Sequence, residues 1–402
     1  MIINNEHKKL NVPNLRFPEF QGEWKKTTIG DIADLYKGTG ISKDQLSDDG
    51  EPCILYGELY TKYKSETIRE VISKTNIDNT KLVRSKANDV IIPCSGETAE
   101  DIATARCVLN GNILLGGDLN IIRLHGYDGA FMSYQLNGRR KYDIAKVAQG
   151  VSVVHLYGEH LKGVKTINPC LEEQKKIAKL LSLLDERIAT QNKIIEDLKK
   201  LKSAIIDYAI SSIDADFIKF SSLYEIAGEG GTPTTSNASF YDNGKIPFIK
   251  IDDLKKKYLT ENKDFITELG LQKSSAWLVP SRSILFSNGA TIGEITITTY
   301  PVCTKQGILG IVPKSNIDVE FLYYFMSSSY FKKAISRIVT EGTMKTAYLK
   351  DINNIRCPIP TKGKQQEIAQ MPSALSSKID FEQSILKLFY AQKQYLLRQM
   401  FI

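Results

Sequence analysis

The segment Leu171–Ser211 reads LEEQKKIAKLLSLLDERIATQNKIIEDLKKLKSAIIDYAIS, and it decides how the rest of the chain is organised. Alternating intervals of four and three residues separate Ile177, Leu181, Leu184, Ile188, Gln191, Ile195, Leu198, Lys202, Ile205 and Ala209. This heptad spacing predicts a helix with one apolar stripe that packs on a partner helix. Gln191 and Lys202 are polar, and such positions cost stability and often fix the register of a helix pair. At ~1.5 Å per residue the helix reaches roughly 60 Å, so we interpret it as a spacer.

The predicted partner helix lies at the C-terminal end of the sequence. Its heptad positions each follow their counterparts by 191 residues, and they are Ile368, Pro372, Leu375, Ile379, Glu382, Leu386, Phe389, Lys393, Leu396 and Met400. The polar interruptions also recur, with Glu382 at the place of Gln191 and Lys393 at the place of Lys202. Two unrelated helices can share heptad spacing by chance, but they are less expected to share polar residues at the same heptad positions. We therefore interpret the two helices as copies from a duplication. Pro372 predicts that the second helix starts late or kinks.

The duplication extends to the segments ahead of each helix. TTIGDIADLYKGT (Thr27–Thr39) aligns with SSLYEIAGEGGTP (Ser221–Pro233) at an offset of 194 residues, and the apolar runs Val90–Ile92 and Ile284–Phe286 share that offset. Short β-branched runs between Gly, Asn, Pro and Ser turns, without regular strand–helix alternation, favour an α+β fold. We therefore predict an N-terminal arm (1–22), two mixed α/β domains (23–170 and 212–360) and two long helices (171–211 and 361–402). The helices are expected to pair as an antiparallel coiled coil with pseudo-two-fold symmetry.

Composition excludes few classes of protein. The chain has 402 residues and a formal net charge of +7, which permits a polyanionic partner without requiring one. It lacks a run of apolar residues long enough to span a membrane, and its first residues do not resemble a secretion signal. Six scattered cysteines without a C-x-x-C pair favour free thiols in a reducing compartment. We therefore expect a cytoplasmic protein.

Sequence motifs for catalysis are missing. The sequence has no phosphate-binding P-loop, and the glycines of Gly228–Gly231 lack the strand–loop–helix setting of a dinucleotide site. His155, Glu159 and His160 are spaced one residue too widely for an H-x-x-E-H metal motif. Asn168-Pro169-Cys170 lacks the second proline and the aromatic residue of an amino-methyltransferase loop. We therefore expect no catalytic and no metal site.

Polar and basic loops recur at equivalent places in both halves and predict nucleic-acid contact. Lysine and arginine would neutralise phosphates, whereas Glu, Asn, Ser and Thr would read base edges. Each cluster taken alone is also compatible with a solvated surface. In the first half the candidates are Lys37, Thr39, Lys62, Lys64, Ser95, Glu97, Thr98, Arg139, Arg140, Lys141, Lys146 and Ser152. In the second half they are Thr232, Thr234, Lys255, Lys257, Asn288, Thr291, Lys332, Lys333, Arg337, Thr343 and Lys345.

Several motifs together resemble the specificity subunits of Type I restriction–modification enzymes. They are PNLRFPEFQGEW (Pro13–Trp24), Ile-Gly-Asp-Ile (Ile29–Ile32), Gly-Gly-Thr-Pro (Gly230–Pro233) and a Pro-x3-Glu-Gln-x2-Ile-Ala pattern that opens the run Pro169–Ile188. The second copy departs from this last pattern, since Ser376 stands where the first has Asp185. The resemblance implies that each globular unit is a target recognition domain for one half of a bipartite site on double-stranded DNA. It also implies that the helices set the spacer between the half-sites.

The resemblance also implies partners and cofactors. A specificity subunit has no activity alone and joins two methyltransferase subunits and two restriction subunits. Those partners would bind S-adenosylmethionine, ATP and Mg²⁺, so this chain is expected to hold no cofactor. The exposed helix faces would dock the partner subunits through residues that include Glu173, Lys176, Glu186, Arg187 and Lys378. Two alternatives stay open at this point, namely a self-contained restriction or modification enzyme and a coiled-coil scaffold without DNA readout.

Overall fold

A computed structural model describes residues 11–78, 81–150, 153–289, 291–339 and 345–402. The chain forms two compact units. Unit 1 comprises the described parts of Met1–Asn192 and Ser384–Ile402, and unit 2 comprises those of Lys193–Gln383. Each unit therefore contains one mixed α/β domain and one portion of each long helix. The domain boundaries given above cut the chain differently, ahead of each helix, and they stay a prediction.

Unit 1 consists of short strands and short helices ahead of a long helix. The strands are β1 (Lys25–Thr28), β2 (Ala33–Lys37), β3 (Leu46–Ser47), β4 (Glu51–Ile54), β5 (Thr67–Ile68), β6 (Ser73–Thr75), β7 (Asp89–Pro93), β8 (Ser95–Gly96), β9 (Arg106–Val108), β10 (Leu114–Leu115), β11 (Leu119–Leu124), β12 (Val154–His155) and β13 (Lys165–Asn168). The helices are α1 (Ile29–Ile32), α2 (Glu58–Thr61), α3 (Ala99–Ile102), α4 (Gly129–Asn137), α5 (Lys141–Val147), α6 (Gly158–Lys162) and the first part of the long α7 (Leu171–Ser211), whose remainder belongs to unit 2.

Unit 2 repeats this plan with fewer elements among the described residues. Its strands are β14 (Phe217–Lys219), β15 (Tyr224–Glu229), β16 (Ile246–Ile249), β17 (Tyr258–Leu259), β18 (Phe265–Ile266), β19 (Ile284–Ser287), β20 (Ile295–Thr298), β21 (Cys303–Thr304), β22 (Ile308–Pro313) and β23 (Arg356–Pro358). Its helices are α8 (Glu268–Gln272), α9 (Val319–Ser327), α10 (Ser329–Ile338), α11 (Leu349–Ile352) and the long α12 (Lys362–Gln399).

The central sheets of the two units have the same topology. In unit 1 the strand order is β2-β11-β7-β9-β5, and in unit 2 it is β15-β22-β19-β20-β17. In each sheet the first four strands pair antiparallel, and the last strand pairs parallel to its neighbour. A second sheet in each unit also repeats, because β4 and β16 each have one antiparallel and one parallel partner. The duplication predicted from the sequence is therefore a duplication of fold.

The two long helices pack together antiparallel within the units. Lys393 of α12 contacts Asp185 of α7 in unit 1, and Ser376 of α12 contacts Lys202 of α7 in unit 2. The numbering falls along one helix as it rises along the other, which is the direction expected of an antiparallel pair. About half of the predicted seam residues are buried, including the polar residues Gln191, Glu382 and Lys393, and the others are half-buried.

Two features of the helices differ from the predicted pattern. Near the end of α7 the fully buried residues are Ile206 and Ile210, each one position after the predicted seam, because this part of the helix packs into the core of unit 2. The second helix starts at Lys362 and continues through Pro372, so the predicted late start is wrong. The proline ring removes one backbone donor, and the packing of the buried neighbours Ala369 and Ser376 holds the helix across it.

The core of unit 1 includes the ends of the chain that the structure describes. Trp24, which precedes β1, is buried together with Phe131 of α4 and Phe401, and the Phe131 ring lies 5.8 Å from Trp24 and 5.1 Å from Phe401. The backbone nitrogen of Leu15 donates to the carbonyl of Gln399 at 2.9 Å. Unit 1 therefore needs the last turn of α12 for its core.

Candidate nucleic-acid interface

A surface cavity of about 500 Å³ lies in unit 1 where β7 leads into α3. We call it the tyrosine cavity, and its lining is Tyr56, Tyr60, Ser95, Gly96, Glu97, Asp101 and Val153. The structure therefore brings the predicted base readers Ser95 and Glu97 together with two tyrosines that the sequence analysis had not selected. The signal for these tyrosines was their spacing of four residues across the start of α2, directly after the buried strand β4.

Hydrogen bonds fix two parts of the wall of the tyrosine cavity. The Tyr60 hydroxyl donates to the carbonyl of Ser95 at 3.4 Å, and burial raises the Tyr60 pKa well above its usual value, so the hydroxyl stays protonated. Thr98 caps α3, since its hydroxyl accepts from the Asp101 nitrogen and donates to the Asp101 carboxylate at 2.6 Å. Thr98, a predicted base reader, therefore holds the loop in place. Glu97 is exposed on the same loop.

Lysines near the tyrosine cavity differ in how firmly they are held. Lys64 is exposed and donates to the carbonyl of Tyr60 at 2.8 Å. Lys37 is exposed at the end of β2, and its charge acts on Cys94, whose pKa burial raises to about 11. Lys62 instead binds Glu58 at 2.7 Å and Ser73 at 2.6 Å. Lys37 and Lys64 are thus the lysines of this region best placed for phosphate.

The structure changes the interpretation of the arginine pair in unit 1. Arg139 donates to the carbonyl of Arg398 at 2.8 Å, and Arg140 donates to the Ile402 carbonyl at 3.2 Å. Arg139 therefore binds the last turn of α12, where cations stabilise the carbonyls that a helix leaves unpaired, and Arg140 binds the segment that follows this helix. This engagement makes them poor candidates for phosphate contact. Lys141 is half-buried, whereas Lys146 is exposed with its ammonium 4.4 Å from the centre of the Tyr142 ring.

In unit 2 the basic candidates gather on α10. Phe331 and Ile335 are buried, and the exposed side of the helix carries Lys332, Lys333 and Arg337. Beside it lies a cavity of about 370 Å³ with an apolar floor and with Lys332 and Lys345 in its lining. The structure thus brings four of the predicted phosphate-binding residues to one helix and its neighbouring cavity.

Other candidates of unit 2 lie on separate loops. Thr234 and Thr291 are exposed, and Lys255 is exposed and paired with Asp252 at 2.9 Å. Thr232 accepts from the backbone nitrogen of Gln306 at 3.2 Å, as Thr39 of unit 1 accepts from the nitrogen of Val83 at 3.0 Å. These two threonines therefore hold loop structure. Ser152 and Thr343 lie outside the described residues.

Two predicted DNA contacts have side chains with little or no exposure, which makes them poor candidates. Asn288 is 1% exposed, and its amide nitrogen donates to the carbonyl of Ala347 at 3.3 Å, so it cannot reach a base edge. Lys257 has a side chain that is 10% exposed, and it pairs with Glu320 and donates to Ser373 at 3.0 Å. Burial opposes the charge of Lys257, but the bonds to Glu320 and Tyr324 outweigh it and raise the pKa. Both residues stabilise unit 2.

The predicted docking residues on the long helices also have intramolecular partners. Glu173 is 0% exposed and binds Arg16 at 2.7 Å, so its predicted place on an exposed face is wrong. Lys176 pairs with Glu19, Glu186 with Arg69, and Lys378 with Glu382. Arg187 is exposed. The charged candidates thus serve mainly to hold the arm and the domains to the helices.

Two searches restricted to the described residues bear on other kinds of site. Among residues 11–78, 81–150, 153–289, 291–339 and 345–402, three or more His, Cys, Asp or Glu side chains never gather in a way that could hold a metal ion. The same ranges contain no helix that is both long and apolar enough to cross a membrane.

Comparisons with known proteins agree with the duplicated fold. The family model described as the Type I restriction modification DNA specificity domain matches residues 21–200 and again residues 213–388. The Type I restriction enzyme MjaVIII specificity subunit of Methanocaldococcus jannaschii is 25% identical over 393 residues, which cover 92% of this chain and 89% of that protein. The putative MjaX specificity subunit of the same organism is 24% identical and covers 95% of this chain and 93% of its own length.

A solved structure shares the fold. The S subunit of the Type I restriction-modification system from M. genitalium superposes with a TM-score of 0.62 at 19% identity and covers 97% of this chain and 99% of its own. Because the family model matches both halves of the sequence, and because the two units repeat one fold, the chain belongs to the Type I restriction modification DNA specificity family.

Proposed function

We propose that this chain is the DNA-recognition subunit of a Type I restriction–modification complex and that each unit reads one half of a bipartite DNA site. The observation that carries the proposal is the recurrence of one sheet topology in both units, each matched separately by the family model. Two copies of one binding fold on a single chain suit a target with two similar parts. The cytoplasmic location expected from the composition belongs to the same proposal.

The exposed basic residues supply the phosphate contacts in this proposal. Lys332, Lys333 and Arg337 lie on the exposed side of α10 in unit 2, and Lys37 and Lys64 lie near the tyrosine cavity of unit 1. Phosphate contacts of this kind position a protein on DNA and make its affinity fall with salt. Base readout would come from the loops beside them, where Glu97 and Thr291 are exposed.

The long helices would dock the methyltransferase subunits through apolar side chains. On α7 the exposed residues Leu180, Ile194, Leu201 and Tyr208 are separated by multiples of seven, with Arg187 at the remaining heptad position. On α12 the exposed residues Phe381, Leu388 and Tyr395 follow one another at intervals of seven. A second stripe outside the buried seam is a feature of helices that pack on further helices. The partners would supply the S-adenosylmethionine, ATP and Mg²⁺ chemistry, and this chain would supply recognition.

The docking proposal predicts a loss of association when the stripes are made polar. We expect Leu201→Gln combined with Leu388→Gln to weaken the binding of the methyltransferase subunit at least about tenfold, because two exposed leucines lose their apolar contact. Glutamine preserves helix propensity. Affinity can be measured by titrating the labelled chain with its methyltransferase subunit. Lys199→Gln, an exposed change off the stripe on α7, is the matched control, and equal affinities for all the proteins would contradict the docking face.

The function itself is tested by coexpression of the chain with its methyltransferase subunit, followed by sequencing of the methylated bases in the host genome. We expect a motif of two short specified parts separated by unspecified bases. A single contiguous motif would contradict two readers. Methylation that proceeds equally without this chain would contradict its role in recognition.

A further inference from the structure

The tyrosine cavity of unit 1 combines an acidic side chain with a lysine-bearing surface. Glu97 lies in its lining, and Lys64 binds the backbone of Tyr60 in the same wall. A carboxylate on a DNA-binding surface is repelled by the phosphates, so it weakens binding to sequences in general. The carboxylate favours binding only where a base presents an amino group that donates a hydrogen bond to it.

The two carboxylates of the cavity differ in their bonding. Asp101 is already bound by the hydroxyl of Thr98 at 2.6 Å as part of the cap of α3. Glu97 is exposed, and in the part of the chain that the structure describes its carboxylate has no hydrogen bond or ion pair. Its loop is anchored on both sides, because Ser95 pairs with His155 and Thr98 caps the helix. A free acceptor on a fixed loop is suited to selecting a hydrogen-bond donor.

The surroundings of Glu97 also suit a base. Tyr56 and Val153 are exposed at the cavity, and they offer apolar surface to a base or its methyl group. In the major groove cytosine presents an amino donor that Glu accepts from, and adenine presents an amino donor beside its N7 acceptor. Guanine and thymine present acceptors at the corresponding places. A carboxylate next to an acceptor is repelled, so it discriminates strongly against these bases.

We propose that Glu97 determines specificity for a cytosine in the half-site that unit 1 reads, by accepting a hydrogen bond from the cytosine amino group. This inference rests on the proposed function, since it presupposes that unit 1 contacts DNA. It goes further by assigning one residue and one chemical feature of the half-site. Thr98 and Asp101 act as positioning residues, because they hold the loop that presents Glu97.

The test compares Glu97→Gln and Glu97→Ala with the unaltered chain in the assembled methyltransferase complex. The control Glu100→Gln makes the same change of charge on an exposed residue of α3 outside the cavity lining. Methylated genomic motifs and binding to a set of duplexes with single substitutions are measured for each protein. Because an amide can pair with adenine, we expect Glu97→Gln to lose its preference for cytosine at one position by about 5- to 150-fold and to accept adenine there.

The outcomes separate the inference from the function on which it rests. If the unaltered chain gives a bipartite motif and both Glu97 variants change one position of one half-site, the inference holds. If the motif of the Glu97 variants equals that of the unaltered chain or of the Glu100→Gln control, the inference is overturned and the proposed function stands. If a Glu97 variant loses methylation, its affinity for DNA is measured. Removal of a base reader should leave the affinity for unrelated DNA unchanged, so that result supports the inference. A general loss of affinity for all DNA overturns it. Absence of a bipartite motif for the unaltered chain contradicts the proposed function.

Discussion

The two units hold their portions of the helix pair with different chemistry at equivalent positions. In unit 1 the ammonium of Lys393 lies 2.6 Å from both Asp185 and Glu66, and the Tyr134 hydroxyl donates to Asp185 at 2.7 Å. In unit 2 the equivalent Lys202 reaches the hydroxyl of Ser376 at 3.4 Å, and Tyr324 lies 3.2 Å from the same hydroxyl. The lysine and the tyrosine recur, but a serine replaces the aspartate. We call these groups the charged centre of unit 1 and the serine centre of unit 2.

This difference changes the sign of the pKa shift on the lysine. Burial lowers the pKa of Lys393, but the charges of Glu66 and Asp185 outweigh it, so that the pKa is raised. Burial also lowers the pKa of Lys202, and in unit 2 this effect prevails. One duplicated sequence therefore yields an ion-paired centre in one unit and, in the other, a lysine whose charge burial disfavours. The comparison teaches that the charged centre is specific to its unit and is not a requirement of the helix pair.

The largest effect is expected from Lys393→Met. It leaves two buried carboxylates without their counterion, which costs about 3–5 kcal/mol of the free energy of unfolding of unit 1. Hydrogen exchange of the backbone amides of β11 measures the local free energy of unfolding in unit 1, and exchange of the amides of β22 measures it in unit 2. The matched variant Lys202→Met removes a lysine that binds the Ser376 hydroxyl and whose pKa burial lowers, and we expect it to change β22 by less than about 1 kcal/mol. Equal losses in the two units would contradict the distinction between the centres.

The same variant has a pH dependence with a definite sign. In the unaltered chain the pKa of Lys393 lies above its unfolded value of 10.5, so its contribution to stability is present below that pH and is lost as the pH rises through the folded pKa. In Lys393→Met the carboxylates become easier to protonate in the folded state. The loss of stability should therefore shrink as the pH falls from 7 towards about 5, whereas a loss that is constant with pH would contradict an electrostatic cause.

A smaller effect is expected at the helix ends. Asp207 of α7 accepts from the backbone nitrogen of Ser329 at 2.7 Å and from its hydroxyl at 2.6 Å, so it completes the start of α10. We expect Asp207→Ala to cost about 1–2 kcal/mol in unit 2, as removal of a helix cap does. Arg398 occupies the equivalent position of α12, and there a backbone carbonyl accepts from Arg139. Because Arg139 is exposed, Arg139→Ala should cost less than about 1 kcal/mol in unit 1. Hydrogen exchange measures both losses, and a larger loss for Arg139→Ala than for Asp207→Ala would contradict this prediction.

The smallest effect is expected from giving unit 2 the missing acid. In Ser376→Asp a carboxylate would face Lys202 and Tyr324, as Asp185 faces its partners in unit 1. The new ion pair should raise the pKa of Lys202 and add about 1 kcal/mol to the stability of unit 2, since the hydrogen bond becomes charged. Chemical denaturation followed by exchange of β22 measures the gain. The exposed Ser377→Asp is the control, and an equal change in both proteins would show that the position beside Lys202 has no special effect.

The sequence predicted the helices and the duplication because both are written as periodic patterns. The heptad positions, including the buried Lys393, followed from spacing alone, and so did the equivalence of Lys202 and Lys393. The partners of Lys393 could not be predicted, since Glu66 precedes it by 327 residues and no local rule links the two. The burial of Asn288 and Lys257 was also missed, because a polar residue in a Gly- or Lys-rich segment gives no sign that the loop folds inward.

The glycines of the resemblance motif show a second limit. A side chain at Gly230 would collide with Thr304, and one at Gly231 would collide with Ser275 and Ala276. The motif Gly-Gly-Thr-Pro is therefore explained by close approach of backbone segments that are distant in sequence. A pattern search finds such a motif, and the packed unit shows its physical cause.

The most direct test of two independent readers is the exchange of one unit's domain. Residues Phe220–Pro360 are replaced by the corresponding segment of another specificity subunit, the chimera is coexpressed with the methyltransferase subunit, and the methylated genome is sequenced. The account predicts a bipartite motif in which one half changes and the other half is retained. A motif that changes in both halves, or in neither, would contradict the proposal that each unit reads its own half-site.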